Sequence, residues 1–172
     1  MAELTTGQAV VQSLLQQGVD TVFGMPGVQT YDLFDAFYEA RDKIKMVLVR
    51  HEQAAAYMAY GYARSTGKVG VFSVVPGPGV LNTMSALCTA QGSNVPLVCL
   101  TSEIPTDFKG KGRRHLHEIR DQLGTLRSLI KWAAQCDTPE AAPAMVNEAF
   151  KQSQSDRPGP VSLQVPWDVL GR

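Results

Sequence analysis

The chain is poor in cysteine, in net charge and in long apolar runs, and each shortage removes a class of explanation. Its three cysteines, Cys88, Cys99 and Cys136, are far apart and form no CxxC pair or histidine-cysteine cluster. That excludes a disulfide framework or a zinc site and reads as small core hydrophobes in a reducing compartment. Sixteen basic and sixteen acidic residues cancel, so no field is offered to nucleic acid or an anionic membrane. The densest basic stretch, Lys109-Gly110-Lys111-Gly112-Arg113-Arg114, is short and glycine-spaced, as in a solvated loop. No apolar run reaches the roughly 18 residues that span a bilayer. The N-terminus carries Glu3 and an amphipathic pattern in place of a signal sequence. The expectation is a cytoplasmic protein with neither nucleic acid nor membrane as partner. There is also no GxGxxG followed by an acidic residue and no GxxxxGK[ST], which argues against nicotinamide and nucleoside triphosphate cofactors.

What is present is a core. With 172 residues, 44% of them apolar, residues 1–172 read as a single domain. Thr5 or Thr6 can cap a helix with Val10, Val11, Leu14 and Leu15 on its apolar face, ended by Gly18. The strand Thr21-Val22-Phe23, a helix from about Thr30 to Arg41, the strand Met46 to Val49 and a helix to about Thr66 follow. Then come the strand Val69 to Val75, a helix from Val80 to about Gln91, and the strand Pro96 to Leu100. A polar segment from Ser102 to Ile119 leads to a helix at Asp121 to Leu129, a strand at Lys131 to Ala134, a helix at Pro139 to Gln152 and the strand Val161 to Val165. Apolar strands alternating with helices predict an α/β fold: a doubly wound three-layer sandwich around a six-stranded parallel sheet.

In such sheets ligands bind outside the carboxyl ends of the strands. Four unusual loops are expected there: Gly24-Met25-Pro26-Gly27, His51-Glu52, Pro76-Gly77-Pro78-Gly79 and Thr101-Ser102-Glu103. Glu52 is the informative residue, because the apolar Met46 to Val49, read as a buried strand, turns there into a helix of small residues. Burying a carboxylate without a partner costs several kcal/mol, so Glu52 is either half of a structural ion pair or a working proton carrier.

Three segments carry a resemblance: Val22-Phe23-Gly24-Met25-Pro26-Gly27, Arg50-His51-Glu52-Gln53-Ala54-Ala55 through Gly61-Tyr62-Ala63-Arg64, and Gly77-Pro78-Gly79-Val80-Leu81-Asn82. In order and spacing they resemble the N-terminal, pyrimidine-binding domain of thiamine diphosphate enzymes on the acetolactate synthase and benzoylformate decarboxylase branch. The likeness runs on through Asp121-Gln122-Leu123-Gly124 to Val165-Pro166-Trp167-Asp168-Val169, nearly the whole chain. The resemblance implies a task for Glu52: a hydrogen bond to a ring nitrogen of the cofactor's aminopyrimidine, favouring the tautomer that activates the thiazolium for attack on a 2-oxo acid. A carboxylate with little access to water can share a proton with such a weakly basic nitrogen. It also implies that Pro78 and Asn82 line the pyrimidine and that Gly27 and Val28 approach the reacting centre from above.

The departures bear on specificity. Acetolactate synthases have a Phe-Gln pair where this chain has His117-Glu118, and Gly-Gln where it has Ser102-Glu103. His117, ahead of His115, is then the candidate acid-base group, while His51 is expected to face the sheet interior. The diphosphate and its Mg²⁺ are held, in the family, by a second domain through a Gly-Asp-Gly motif that this chain lacks. No metal site is expected within it, and the likeness implies a partner domain or subunit completing the site, usually in a homo-oligomer built on dimers. The expectation is the pyrimidine-binding half of a thiamine diphosphate enzyme, an excised domain inactive by itself. The alternatives are the small subunit of a split decarboxylase of the sulfopyruvate kind, or a non-catalytic assembly module.

Overall fold

A computed structural model describes residues 4–172; Glu3 lies outside them. Helix α1 (Thr6–Gln16) starts on a reciprocal cap, the Thr5 hydroxyl accepting from the Gln8 amide and the Gln8 side chain from the Thr5 amide. There follow β1 (Thr21–Gly24), α2 (Tyr31–Glu39), β2 (Lys45–Leu48), α3 (Glu52–Thr66), β3 (Gly70–Val74), α4 (Pro78–Gly92) and β4 (Leu97–Glu103). The remainder forms α5 (Gln122–Arg127), β5 (Trp132–Gln135), α6 (Ala142–Gln154), β6 (Pro160–Pro166) and α7 (Trp167–Leu170), with two short 3₁₀ turns.

The six strands form one parallel sheet in the order β2-β1-β3-β4-β6-β5. Helices α1, α2, α6 and α7 cover one face, where Leu14, Phe37, Val71, Val161 and Phe150 pack together. The other face is covered by α3, α4 and α5 with Ala55, Ala59, Phe72, Leu97 and Leu126. Burial of each Val, Leu or Phe contributes about 1.5–3 kcal/mol, and the central strands β3 and β4 are buried along their whole length. Between β1 and β3 the chain reverses its direction of travel across the sheet, and α2 and α4, which follow these strands, depart to opposite faces. The crevice that this opens at the carboxyl ends is where doubly wound folds bind ligands.

Four expectations need correction. Strand β2 is not buried: it is one of the sheet's two outer strands, with Lys45 and Leu48 exposed. Thr101-Ser102-Glu103 is not a loop; those residues are the end of β4, paired with Gln164, Val165 and Pro166 of β6 and fully buried. Helix α4 begins at Pro78 and not Val80, since a proline at the first helical position gives up no hydrogen bond. Cys88 is exposed, while Cys99 and Cys136 are in the core, where burial pushes the Cys99 thiol up to about 12 and leaves it unreactive.

Candidate functional site

Glu52 is the first residue of α3, one of the acids that a helix N-terminus favours. His51 caps that helix, its Nδ1 accepting from the Gln53 amide at 3.2 Å, and is exposed and not turned into the sheet. The Glu52 side chain folds inward until the residue is only 6% exposed. Asn82, one turn into α4, donates Nδ2 to Glu52 Oε2 at 2.9 Å. Among the described residues no protein group hydrogen-bonds Oε1, and Oε1 is not one of the atoms sealed from solvent without a partner. None of the four ion pairs among those residues involves Glu52. The ion-pair reading therefore has no partner to stand on, and the carboxylate keeps one oxygen for something else.

Two glycines pack against one valine, and one of them, Gly79, lies beside that oxygen. A Cβ on Gly79 would lie 2.6 Å from Val75 Cγ2 and 3.5 Å from Glu52 Oε1, and one on Gly27 would lie 2.6 Å from Val75 Cγ1. Val75, just past the end of β3, is thus gripped between Gly27 of the β1 loop and Gly79 in the first turn of α4, and nothing larger than glycine fits on either side. The first loop is closed by Thr30, whose hydroxyl donates to the Gly27 carbonyl at 2.9 Å; Val28 is half-buried on it. Pro78 is exposed at the start of α4.

Gly77 has φ 59°, and a Cβ there would meet the His117 carbonyl oxygen at 2.2 Å. Its amide donates to Gln122 Oε1 at 2.6 Å, and Gln122 Nε2 donates to the Ser102 carbonyl at 2.8 Å and to Gln164 Oε1 at 3.0 Å. The segment around His117 is in this way seated on the β3 loop. Burial holds the His117 ring below its ordinary value of 6.5, partly offset by the Glu52 carboxylate, which is close enough to act on it. His115 is turned elsewhere, stacked on Phe108 with ring centroids 4.1 Å apart.

Glu52 and Asn82 touch, Gly27 is linked to them through Val75 and Gly79, and His117 stands within electrostatic reach. Val28 follows Gly27 on the first loop and Pro78 precedes Gly79 at the start of α4. Val75, Gln122 and Gln29 were not legible beforehand. Val75 closes an apolar run and looks like core, and the two glutamines act through partners far away in sequence. A cavity of about 540 Å³, lined by Glu103, Lys109, Arg114, Glu118, Arg120 and Gln122 among others, lies to one side and includes neither Glu52 nor Asn82 in its walls. The described residues contain no group of three or more His, Cys, Asp or Glu arranged to hold a metal ion. None of their helices is long and apolar enough to cross a membrane.

The family model described as "Thiamine pyrophosphate enzyme, N-terminal TPP binding domain" matches residues 4–125. The chain belongs to this family. The chain is 42% identical over 167 residues to a Pseudomonas aeruginosa protein named "Probable 2-ketoarginine decarboxylase AruI", covering 97% of this chain and 30% of that one. It is 40% identical over 166 residues to the mitochondrial acetolactate synthase catalytic subunit of Saccharomyces cerevisiae, covering 96% of this chain and 24% of that one. With the acetolactate synthase isozyme 3 large subunit of Escherichia coli it shares 39% identity over 170 residues, 99% of this chain and 29% of that one. The chain spans less than a third of the length of these relatives.

Proposed function

We propose that this chain is the pyrimidine-binding half of a thiamine diphosphate enzyme acting on a 2-oxo acid, with Glu52 as the group that exchanges a proton with the cofactor's aminopyrimidine. The observation that carries this reading is the buried Glu52 carboxylate, with Oε2 tied to Asn82 and Oε1 left without a protein partner beside Gly79. The donor set fits the group: a ring nitrogen needs a carboxylate oxygen without a protein partner, and Gly79 places no side chain beside that oxygen. Bound, the cofactor would supply an electron sink at the carbonyl carbon of the 2-oxo acid, chemistry that no side chain of this chain provides.

The chain's own residues do the rest. Asn82 engages one oxygen of Glu52 and so aims the other. Pro78 offers an apolar surface at the mouth of the site and Val28 covers it from the first loop. His117, whose protonated form burial disfavours, can take up a proton on the substrate side and then return it.

Mg²⁺ and the diphosphate are assigned to a second domain, from the same polypeptide or another copy. Support comes from the surface next to Glu52. Helix α3 carries no charge between Glu52 and Arg64, and α4 carries none from Pro78 to Gly92. Tyr57, Met58 and Leu81 are 38%, 41% and 45% exposed on that pair. A surface depleted of charge and carrying exposed aromatic and Met side chains is what a stable interface has at its centre.

The test is calorimetric titration of thiamine diphosphate with Mg²⁺ into the assembly of this chain with its pyrophosphate-binding domain. Asn82→Ala is expected to weaken binding about tenfold, the loss of one hydrogen bond to a charged group. Unchanged affinity in Asn82→Ala, or no binding by the assembly, would remove the reading.

A further inference from the structure

Gln29 is a buried polar residue that the cofactor reading leaves without a task. It stands on the loop after β1, only 3% exposed, at φ 74°. That left-handed backbone costs an L-residue roughly 1–2 kcal/mol, so the surroundings must hold it there. Both ends of its amide are engaged with the segment opposite. Nε2 donates to the Leu116 carbonyl at 3.0 Å, and Oε1 lies 3.3 Å from His117 Nδ1.

Those two contacts determine a proton position. A backbone carbonyl only accepts, so the end of the amide facing Leu116 must be its nitrogen. The oxygen turned toward His117 can then only accept, and Nδ1 must carry a hydrogen. In the neutral ring the lone pair belongs to Nε2. Among the described residues no protein group hydrogen-bonds His117 Nε2, and unlike His115 Nε2 it is not sealed from solvent without a partner. His117 is itself left-handed, at φ 69°, with its carbonyl against Gly77. The ring is therefore held by its own backbone on one side and by Gln29 on the other, and strained residues that face one another in this way mark sites where geometry is being imposed.

We propose that Gln29 is a positioning residue that fixes His117 as the Nδ1–H tautomer and leaves Nε2 as the free proton acceptor at the carboxyl edge of the sheet. This rests on the reading of His117 as an acid-base group and goes beyond it by naming the working nitrogen and what selects it. A glutamine serving only to staple two loops would affect stability and leave the tautomer alone.

The test is a long-range ¹H–¹⁵N correlation spectrum of the 172-residue chain above pH 7, which separates protonated from unprotonated ring nitrogens. In the unaltered chain the His117 ring is expected to show a protonated Nδ1 and an unprotonated Nε2; the reverse assignment overturns the proposal. Gln29→Met is expected to return the ring to the tautomer mixture of a free imidazole, and a spectrum identical to the unaltered chain overturns it as well. Should Gln29→Met fail to fold, Gln29→Glu decides. A carboxylate beside Nδ1 keeps the tautomer and raises the ring's protonation midpoint, whereas an unmoved midpoint contradicts contact between the two side chains. No cofactor is present, so these outcomes are independent of the thiamine diphosphate reading. The role of His117 is tested separately by turnover of His117→Gln in the complete assembly.

Discussion

Glu52 and His117 differ in what limits them. Glu52 is held by a neutral amide at a helix N-terminus, while His117 is half-buried within electrostatic reach of its carboxylate. Since burial lowers the His117 value in the folded chain, the unfolded chain binds the proton more readily. Stability is then free of any penalty from this ring above about 6.5 and declines as pH falls below that value. Replacing His117 by Asn should flatten that part of the stability-pH curve, measured by urea denaturation between pH 5 and 8. In a ring titration by NMR the His117 midpoint should fall below 6.5. A midpoint above it would mean that the carboxylate outweighs burial. Glu52, Pro78 and Asn82 stood out in the sequence because they sit in short motifs, and His117 because it departs from one. The partnership of Gln29 with His117 was not, since it joins residues 88 positions apart and depends on two backbone angles that no local pattern announces.

The two glycine-containing loops and the Gln122 side chain together form a device for seating the 115–118 segment. Gly77 is its pivot, being both left-handed and in contact with the His117 carbonyl. Gly77→Ala should cost roughly 2–4 kcal/mol, the sum of the conformational penalty and the displacement of a packed backbone. Gly67, also left-handed but with open space around it, is the control: Gly67→Ala should cost only about 1–2 kcal/mol. Equal losses by chemical denaturation would show that the loop contact adds nothing. At this scale the helices and strands followed from apolar periodicity and caps, and their ends did not. Strand β4 runs on through Ser102 and Glu103 because Gln122 and Gln164 satisfy polar groups that would otherwise force the chain out to water. Such partners, 20 to 61 residues away, are invisible to a local reading.

Across the molecule, strand number and parallel direction could be read from the alternation of elements, whereas the order β2-β1-β3-β4-β6-β5 could not. Met46 to Val49 looks like core because its residues are apolar, yet whether a strand is central or outer depends on which neighbours pair with it, and β2 has only β1. That order creates the crevice between β1 and β3 and sets the uncharged α3–α4 face next to Glu52. Tyr57→Lys with Leu81→Glu should leave the stability of the isolated chain within about 0.5 kcal/mol, since both side chains are exposed. The same pair should abolish association with the pyrophosphate-binding domain in sedimentation velocity; retained association would move the interface elsewhere. The measurement closest to the central claim is steady-state turnover of a 2-oxo acid by the complete assembly carrying Glu52→Gln, an amide of the same shape that cannot exchange the proton. The expected result is a fall in kcat of about 10²-fold or more with the unfolding midpoint retained. Undiminished turnover would mean that Glu52 is a structural residue and that activation lies elsewhere.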